Sequence, residues 1–558
     1  MTKKILILLL LLPMFVLTEL QAKGKESKKG LVQVTTYDKA GQKIHSGYGF
    51  FISENGKCLA AYDLFLGAAK AEVIDSKGAK WNVMRIEGAS DLYDLVKFTT
   101  NCQKSESYTL SDKAATQDAI VSVFMSDGKK GVQLSTSKIL ECKKYDNLTY
   151  YTLASMADNQ MAGTPVFDAN GIVIGVMQKN AEKVLTKSYA ADIAIEKLLS
   201  TSALSAGQTA LNKIFIPKQL PEDKSQAASY LYLMSKNMQD TTSYLAALSD
   251  FKTAYPDQCT AYVEHASLMA SKQQYSLAEA DYNEAFQAVK DQSEVHYNLS
   301  KLIYRLNMYT DYRKYKDWDL NKALSEAVEA YKLSPLPLYQ LQQGDCYYAL
   351  KQYQQAFDTY QILNKTSFAS PATFFYAAKA RELMDNDSTV VLALLDSAVA
   401  RFPQPYKVEA APYLLQRAQL RQKYSQFKAS AIDYDAYEKL IGTQNLNDNF
   451  FYMKEQADIS ANLYAWALND IDKALQIRPK EYLYNVEKAI VQLRVGNNDE
   501  AIYNAQQALK VNSEGSDAYK VLGIANAQKK NKAEALKYLQ KAKELGDTQV
   551  DEWIKKLR

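Results

Sequence analysis

Asn159-Gln160-Met161-Ala162-Gly163-Thr164-Pro165 leads without a gap into Val166-Phe167, Asp168-Ala169-Asn170-Gly171 and Ile172-Val173-Ile174-Gly175-Val176. A loop punctuated by glycine and proline thus precedes an apolar strand, an Asn-Gly turn and a second apolar strand. Outward from this stretch the same short rhythm continues. Leu31–Thr35, Tyr48–Ile52, Ala71–Ile74, Leu95–Phe98 and Ile120–Phe124 all read as strands. Asn55-Gly56, Asp127-Gly128 and Asn170-Gly171 supply turns between them. Regular short strands of this kind predict an all-β barrel or sandwich from Leu31 to about Ser200.

The pattern changes after a stretch carrying Pro217 and Pro221. Small or apolar residues now recur at helical spacing, as in Ala323, Ala327, Ala330 and in Ala467, Ile471, Ala474, with Pro335 and Pro479 following. Ala467, Ala501 and Ala535 open three such units at a 34-residue interval, and Tyr519, Leu522 and Gly523 precede the last. This period resembles the tetratricopeptide repeat (TPR), in which small residues let two helices of a pair approach closely. Weaker units are read at Ala247, Ala278, Ala356, Ala393 and Ser430, for roughly nine helix pairs in all. Asp551–Leu557, with Trp553, reads as a capping helix over the last apolar face.

The chain of 558 residues is too long for one core. Lys+Arg 67 against Asp+Glu 63 is nearly balanced, so bulk charge gives no support to nucleic-acid binding. Lys3-Lys4, the apolar run Ile5 to Leu17 and Leu20-Gln21-Ala22 read as a secretory signal with a cleavage site, too short to span a membrane. An exported protein, periplasmic or extracellular, is the expectation. The five cysteines form no C-x-x-C pair. Export would permit one disulfide among Cys58, Cys102 and Cys142, while scattered buried thiols are the expected state.

The opening stretch, taken with Gly47-Tyr48-Gly49-Phe50-Phe51-Ile52-Ser53 and Ala60-Ala61-Tyr62-Asp63-Leu64-Phe65, resembles trypsin-like serine proteases of the bacterial HtrA (Deg) type. That family reads G-S-G-F-I-I-S, then T-N-x-H-V-V, and later G-N-S-G-G-P. Ser90–Phe98 is similar to its D-x-x-x-D-L-A-V-L-K, Gln133–Leu140 to the strand before its specificity region, and Tyr189–Ile193 to its last barrel strand. The resemblance implies a chymotrypsin-like double β-barrel over 31–200. The full division is then a signal peptide at 1–22, a basic tether at 23–30, the barrels, a linker at 201–224 and an all-α TPR superhelix at 225–558.

The resemblance also places the catalytic positions, and two of them are lost. Asp63 stands where the family has its histidine, Ala162 where it has its serine, and only Asp94 keeps the orienting aspartate. Acyl transfer needs an oxygen or sulfur nucleophile and a base able to take its proton. Ala162 has no such atom, and a carboxylate with an ordinary pKa of about 3.9 is a poor base for a hydroxyl. What the resemblance leaves is an oxyanion-hole-like pair of backbone N–H groups at Gln160 and Ala162. His45, Ser155, Thr164 and Cys58 lie near in sequence, but none occupies a catalytic position. His45 reads as a loop residue, His265 and His296 as ordinary helix residues, and Asp63 with Asp94 as a vestige and not a metal site. No cofactor or metal motif is present. The expected function is a non-catalytic scaffold binding proteins or peptides through the repeats and, by strand addition, the barrel cleft. The competing expectation is an active endopeptidase with a non-standard triad.

Overall fold

The computed structural model describes residues 28–126, 128, 131–145, 147–180, 186–236, 241–309, 313–384 and 387–558. The signal segment 1–22, most of the tether and Asp127 lie outside the described residues. Two compact units, Met1–Val295 and His296–Arg558, make up the chain.

Twelve strands in the first unit form two closed six-stranded barrels. The first is built from β1 (Leu31–Tyr37), β2 (Lys43–Phe51), β3 (Lys57–Ala61), β4 (Lys70–Ile74), β5 (Lys80–Ser90) and β6 (Leu95–Thr100), in the order β1-β2-β3-β6-β5-β4. The second contains β7 (Ile120–Ser126), β8 (Val132–Tyr145), β9 (Leu148–Leu153), β10 (Pro165–Phe167), β11 (Val173–Met177) and β12 (Ser188–Asp192), in the order β10-β11-β12-β9-β8-β7. Closure gives every strand a partner on each side, though not along its whole length: β4 covers only Lys80–Asn82 of β5.

The two-residue period of the strands explains their long apolar runs. Val32, Val34, Phe51, Cys58, Ala60, Val96 and Phe98 fill the first barrel. Their neighbours Leu31, Phe50, Leu59 and Leu95 belong to the core of the second barrel. These strands are buried on both faces, which is why alternation is absent from their sequence. Tyr108, on the segment between the barrels, packs its ring 6.0 Å from Phe50 and 5.0 Å from Phe167 and ties the seam.

The stretch expected to connect barrels and helices packs on the first barrel. Ala210, Leu211, Ile214 and Ile216 join its core, and Tyr62 Oη donates to the Ala210 carbonyl at 2.9 Å. Pro217 and Lys218 run extended beside β5, with Ile86 N–H donating to the Pro217 carbonyl at 2.9 Å and Gln219 N–H to the Ile86 carbonyl at 2.8 Å. In the first helix pair, Arg85 grips Asp250 of the helix Thr241–Ala254 with two hydrogen bonds of 2.7 and 2.8 Å.

Nine helix pairs follow among the described residues, from Lys224–Lys236 with Thr241–Ala254 to Ser516–Gln528 with Lys532–Glu544, and then Asp551–Leu557. The small residues do the expected packing: Ala467, Ala474, Ala501, Ala505, Ala508, Ala535 and Ala542 are all fully buried. A Cβ on Gly523 would lie 2.5 Å from Leu539 Cγ, so the paired helices meet where a side chain would have to push Leu539 aside. Ala393 is a correction of register. It is exposed, and Val391, Leu394, Leu395 and Ala398 carry the buried face of Ser388–Val399 instead. Larger apolar residues had masked the small-residue spacing there. Val550 and Ile554 bury against Leu539 and Ala542, closing the last pair.

Candidate functional site

The positions assigned to a triad meet where the barrels face one another. Asp63 lies on a 3-10 turn, Tyr62–Phe65, directly after β3. Asp94 precedes β6 with φ of 45°, an uncommon conformation for a non-glycine residue. Its Oδ1 accepts the Asp63 N–H at 2.8 Å and its carbonyl accepts the Tyr62 N–H at 3.1 Å. Asp94 therefore holds the backbone of the turn, not an imidazole. Its other oxygen, Oδ2, is buried and has no hydrogen-bond partner among the described residues. Burial pushes this carboxyl up to about 6; the Asp63 N–H pulls it back, and the Asp63 carboxylate adds to the rise.

The loop from the second barrel reaches the first through Gly163. This residue has φ of 84°, and a Cβ there would lie 2.5 Å from Ala61 N and 2.9 Å from the Tyr48 carbonyl oxygen. Only glycine permits so close an approach of backbone to backbone. Gly163 N–H donates to the Met177 carbonyl at 2.9 Å, and Met177 N–H to the Thr164 carbonyl at 2.8 Å. Ala162, 7% exposed, is thus held beside β3 with only a methyl group to offer.

The two N–H groups expected to form an oxyanion pocket are engaged within the loop. Asn159–Met161 is a 3-10 turn whose N-cap, Asp158, accepts the Gln160 N–H through Oδ1 at 2.8 Å. The Ala162 N–H points back to the Asn159 carbonyl at 3.2 Å. An oxyanion hole requires donors aimed at the substrate oxygen. Here those donors face the protein's own oxygens.

Two residues complete the site that the sequence did not single out. Lys179, just beyond β11, forms an ion pair with Asp63. That hydrogen bond raises the lysine's pKa, so Lys179 stays charged at neutral pH. Asn180 has both backbone groups held by one side chain: its N–H donates to Asn159 Oδ1 at 2.7 Å, and its carbonyl accepts from Asn159 Nδ2 at 3.0 Å. A carboxamide imitates a paired strand at this point.

The alternative nucleophiles and bases sit elsewhere or are occupied. Thr164 Oγ1 donates to the Met161 carbonyl at 2.7 Å, while Ser155 Oγ is buried without a hydrogen-bond partner among the described residues. His45 is on β2, opposite Thr36, and exposed, which corrects its reading as a loop residue; β2 simply begins earlier than its apolar residues. His265 and His296 pair with Asp281 and Glu326 in the helices. Cys58 is a buried free thiol on β3, its pKa raised chiefly by burial; Cys102 and Cys142 are free as well. Among the described residues no three His, Cys, Asp or Glu side chains gather to hold a metal ion.

Comparison with known proteins divides along the same line as the fold. The tetratricopeptide repeat model TPR_16 matches residues 486–549. The protein SGT1 homolog of Bos taurus is 30% identical over 92 residues, 16% of this chain. The chain spans 27% of that relative's length. Among solved structures, the active form of Rv3671c protease from M. tuberculosis aligns with 36% of this chain and 85% of its own, at 16% identity and a TM-score of 0.29. The serine endoprotease from Yersinia pestis aligns with 33% of this chain and 64% of its own, at 15% identity and a TM-score of 0.27. The chain thus joins two closed six-stranded β-barrels to an all-α array of helix pairs, of which residues 486–549 match the tetratricopeptide repeat model.

Proposed function

We propose that the protein is an exported, non-catalytic scaffold that binds proteins or peptides chiefly through its helical repeats. The observation that carries the reading is Ala162, a methyl group at the attacking position of a loop whose amides are already hydrogen-bonded. The Asp63–Lys179 ion pair supports it, because it engages the residue at the base position with an ammonium group. Repeats of this type bury their own core and leave outer side chains for recognition. The basic and apolar residues from Lys3 to Ala22 support export. No helix among the described residues is long and apolar enough to cross a membrane.

The barrel cleft is the lesser binding surface in this reading. Strand addition needs open backbone groups, whereas both barrels are closed and Asn159 occupies those of Asn180. A peptide entering there displaces Asn159. The test is to incubate the full chain with unfolded casein and an envelope extract, cross-link, and resolve the products. Intact captured partners and intact casein are expected. Casein fragments that vanish on substitution of a single serine or threonine would instead establish a working endopeptidase.

A further inference from the structure

An open-mouthed cavity of about 520 Å³ lies among the helices Phe427–Ile441, Asp448–Ser460 and Tyr464–Ile477, in the second unit. The charges of its lining are matched, Asp435, Glu438 and Asp470 standing with Lys439, Lys454 and Lys473. Lys454 Nζ is 2.6 Å from Glu438 Oε2 and 3.2 Å from Asp470 Oδ2, and Lys473 Nζ is 2.6 Å from Glu438 Oε1 and 2.9 Å from Asp470 Oδ1. The mismatch lies one layer deeper, where Glu455 and Asp458 are fully buried on the helix Asp448–Ser460. Both Asp458 oxygens and Glu455 Oε1 have no hydrogen-bond partner among the described residues, while Glu455 Oε2 accepts from Gln456 Nε2 at 2.8 Å.

An ionised carboxylate so placed lacks both donors and a counter-ion of its own, a costly state. A proton removes the charge and turns one oxygen into a donor. Asp458 has an acceptor for it. Its carboxyl comes within hydrogen-bonding reach of Asp470, a contact that two carboxylates make only when one of them carries a proton. Asp470 already has two ammonium partners and Asp458 has neither of them, so the proton belongs on Asp458. No three His, Cys, Asp or Glu side chains gather here to hold a metal ion among the described residues. The charged groups around the pair are Lys454 on the same helix, Asp470 and Lys473 on Tyr464–Ile477, Asp435 and Glu438 on Phe427–Ile441, and Glu487 and Arg494 on Tyr482–Arg494. Carboxyls outnumber cations in that set.

We propose that this part of the helical stack is a pH-sensitive switch: Glu455 and Asp458 are buried as neutral acids, Asp458 donating its O–H to Asp470, and loss of these protons loosens Asp448–Ser460 from Tyr464–Ile477. The proposal concerns the repeats alone and stands whether or not the barrel binds anything. Burial is the foremost cause that pushes both carboxyls up, Glu455 to about 8. Glu487 adds to the rise of Glu455 and Asp470 to that of Asp458, while Gln456 and Arg494 pull the first back and Lys454 the second. The folded state therefore holds these protons more tightly than the unfolded chain does. Their contribution to stability is complete below the ordinary carboxyl range near pH 4 and is lost as pH climbs through about 8.

The test is hydrogen–deuterium exchange of the full chain, read by mass spectrometry at pH 6 and pH 8 and corrected for the intrinsic pH dependence of exchange. Residues 448–477 should open at least tenfold more often at pH 8, as expected for even one carboxyl that ionises only on opening. Residues 498–544, in the last repeats, are the internal reference and should show no such change. The double variant Glu455→Gln, Asp458→Asn puts neutral groups of the same shape in both places and should abolish the rise. Equal protection of the parent protein at the two pH values, a rise shared by 498–544, or a rise that persists in the double variant would overturn the proposal. If the variant fails to fold, the parent protein decides alone, by the presence or absence of a rise confined to 448–477.

Discussion

The barrel seam and the 427–477 cavity use polar groups in opposite ways. In the seam nearly every group that catalysis would leave free is engaged by another group of the protein. Gln160 N–H meets Asp158, Ala162 N–H meets Asn159, Asp63 meets Lys179, and the Asn180 backbone meets the Asn159 side chain. Asp94 Oδ2 is the one buried side-chain oxygen left over among Asp63, Asp94 and the 159–164 loop. Beside the cavity, three buried carboxyl oxygens, two of Asp458 and one of Glu455, have no hydrogen-bond partner among the described residues. A satisfied network rigidifies, while unpaired buried polar groups cost stability. The comparison teaches that the seam keeps its polar groups paired after losing the residues of catalysis, whereas the helical stack holds buried carboxyls without partners.

The largest effect is expected at Gly163. Gly163→Ala places a Cβ against the Ala61 backbone at a positive φ and should destabilise the barrels by roughly 3 kcal/mol or more. Thermal unfolding of the full chain reads this as loss of the barrel transition with the helical one retained. An unchanged barrel transition would mean the seam is not so tightly closed. Gly523→Ala is the counterpart in the repeats. There the obstructing atom is the Leu539 side chain, which can give way, so a cost of about 1–2 kcal/mol is expected by denaturant titration.

Asp94 offers a smaller and pH-dependent test. Its folded pKa is raised above the unfolded value, so the folded state binds the proton more tightly. Its contribution is most favourable below pH 4 and is lost as pH climbs through about 6. Asp94→Asn keeps an acceptor for the Asp63 N–H and removes the buried charge. It should leave stability at pH 3.5 near that of the parent and raise it at pH 8 by roughly 1 kcal/mol. Destabilisation at pH 8 would show that the ionised form is needed. The smallest stability effect belongs to Asn159→Ala, which frees the Asn180 backbone. If the cleft binds peptides, capture by the full chain should rise about threefold, and no change would leave the repeats as the sole binding surface.

The sequence made the architecture legible where local pattern and burial agree. β1, β4, β6, β7 and β11 were visible from their apolar runs and flanking turns, and the 34-residue interval exposed the last repeats. β3 has no alternation to mark its ends, since Lys57–Ala61 is brief and largely buried, although Cys58 reads as a strand residue. The positions of Asp63, Asp94 and Ala162 were readable, but not what they touch. Lys179 lies 116 residues from Asp63, and only closure of both barrels brings them together. Nothing in Gln178-Lys179-Asn180 announces that. The engagement of the Gln160 amide did have a signal, an aspartate two residues upstream, since Asp158 is a natural cap for a short turn.

The most direct test of lost hydrolysis is labelling of the intact protein with a broad serine-directed fluorophosphonate, beside its Ala162→Ser variant. Neither should label above a denatured control, because a restored hydroxyl would still find Asp63 tied to Lys179 and the loop amides occupied. Strong labelling of the parent protein, abolished by changing one serine, would contradict the account.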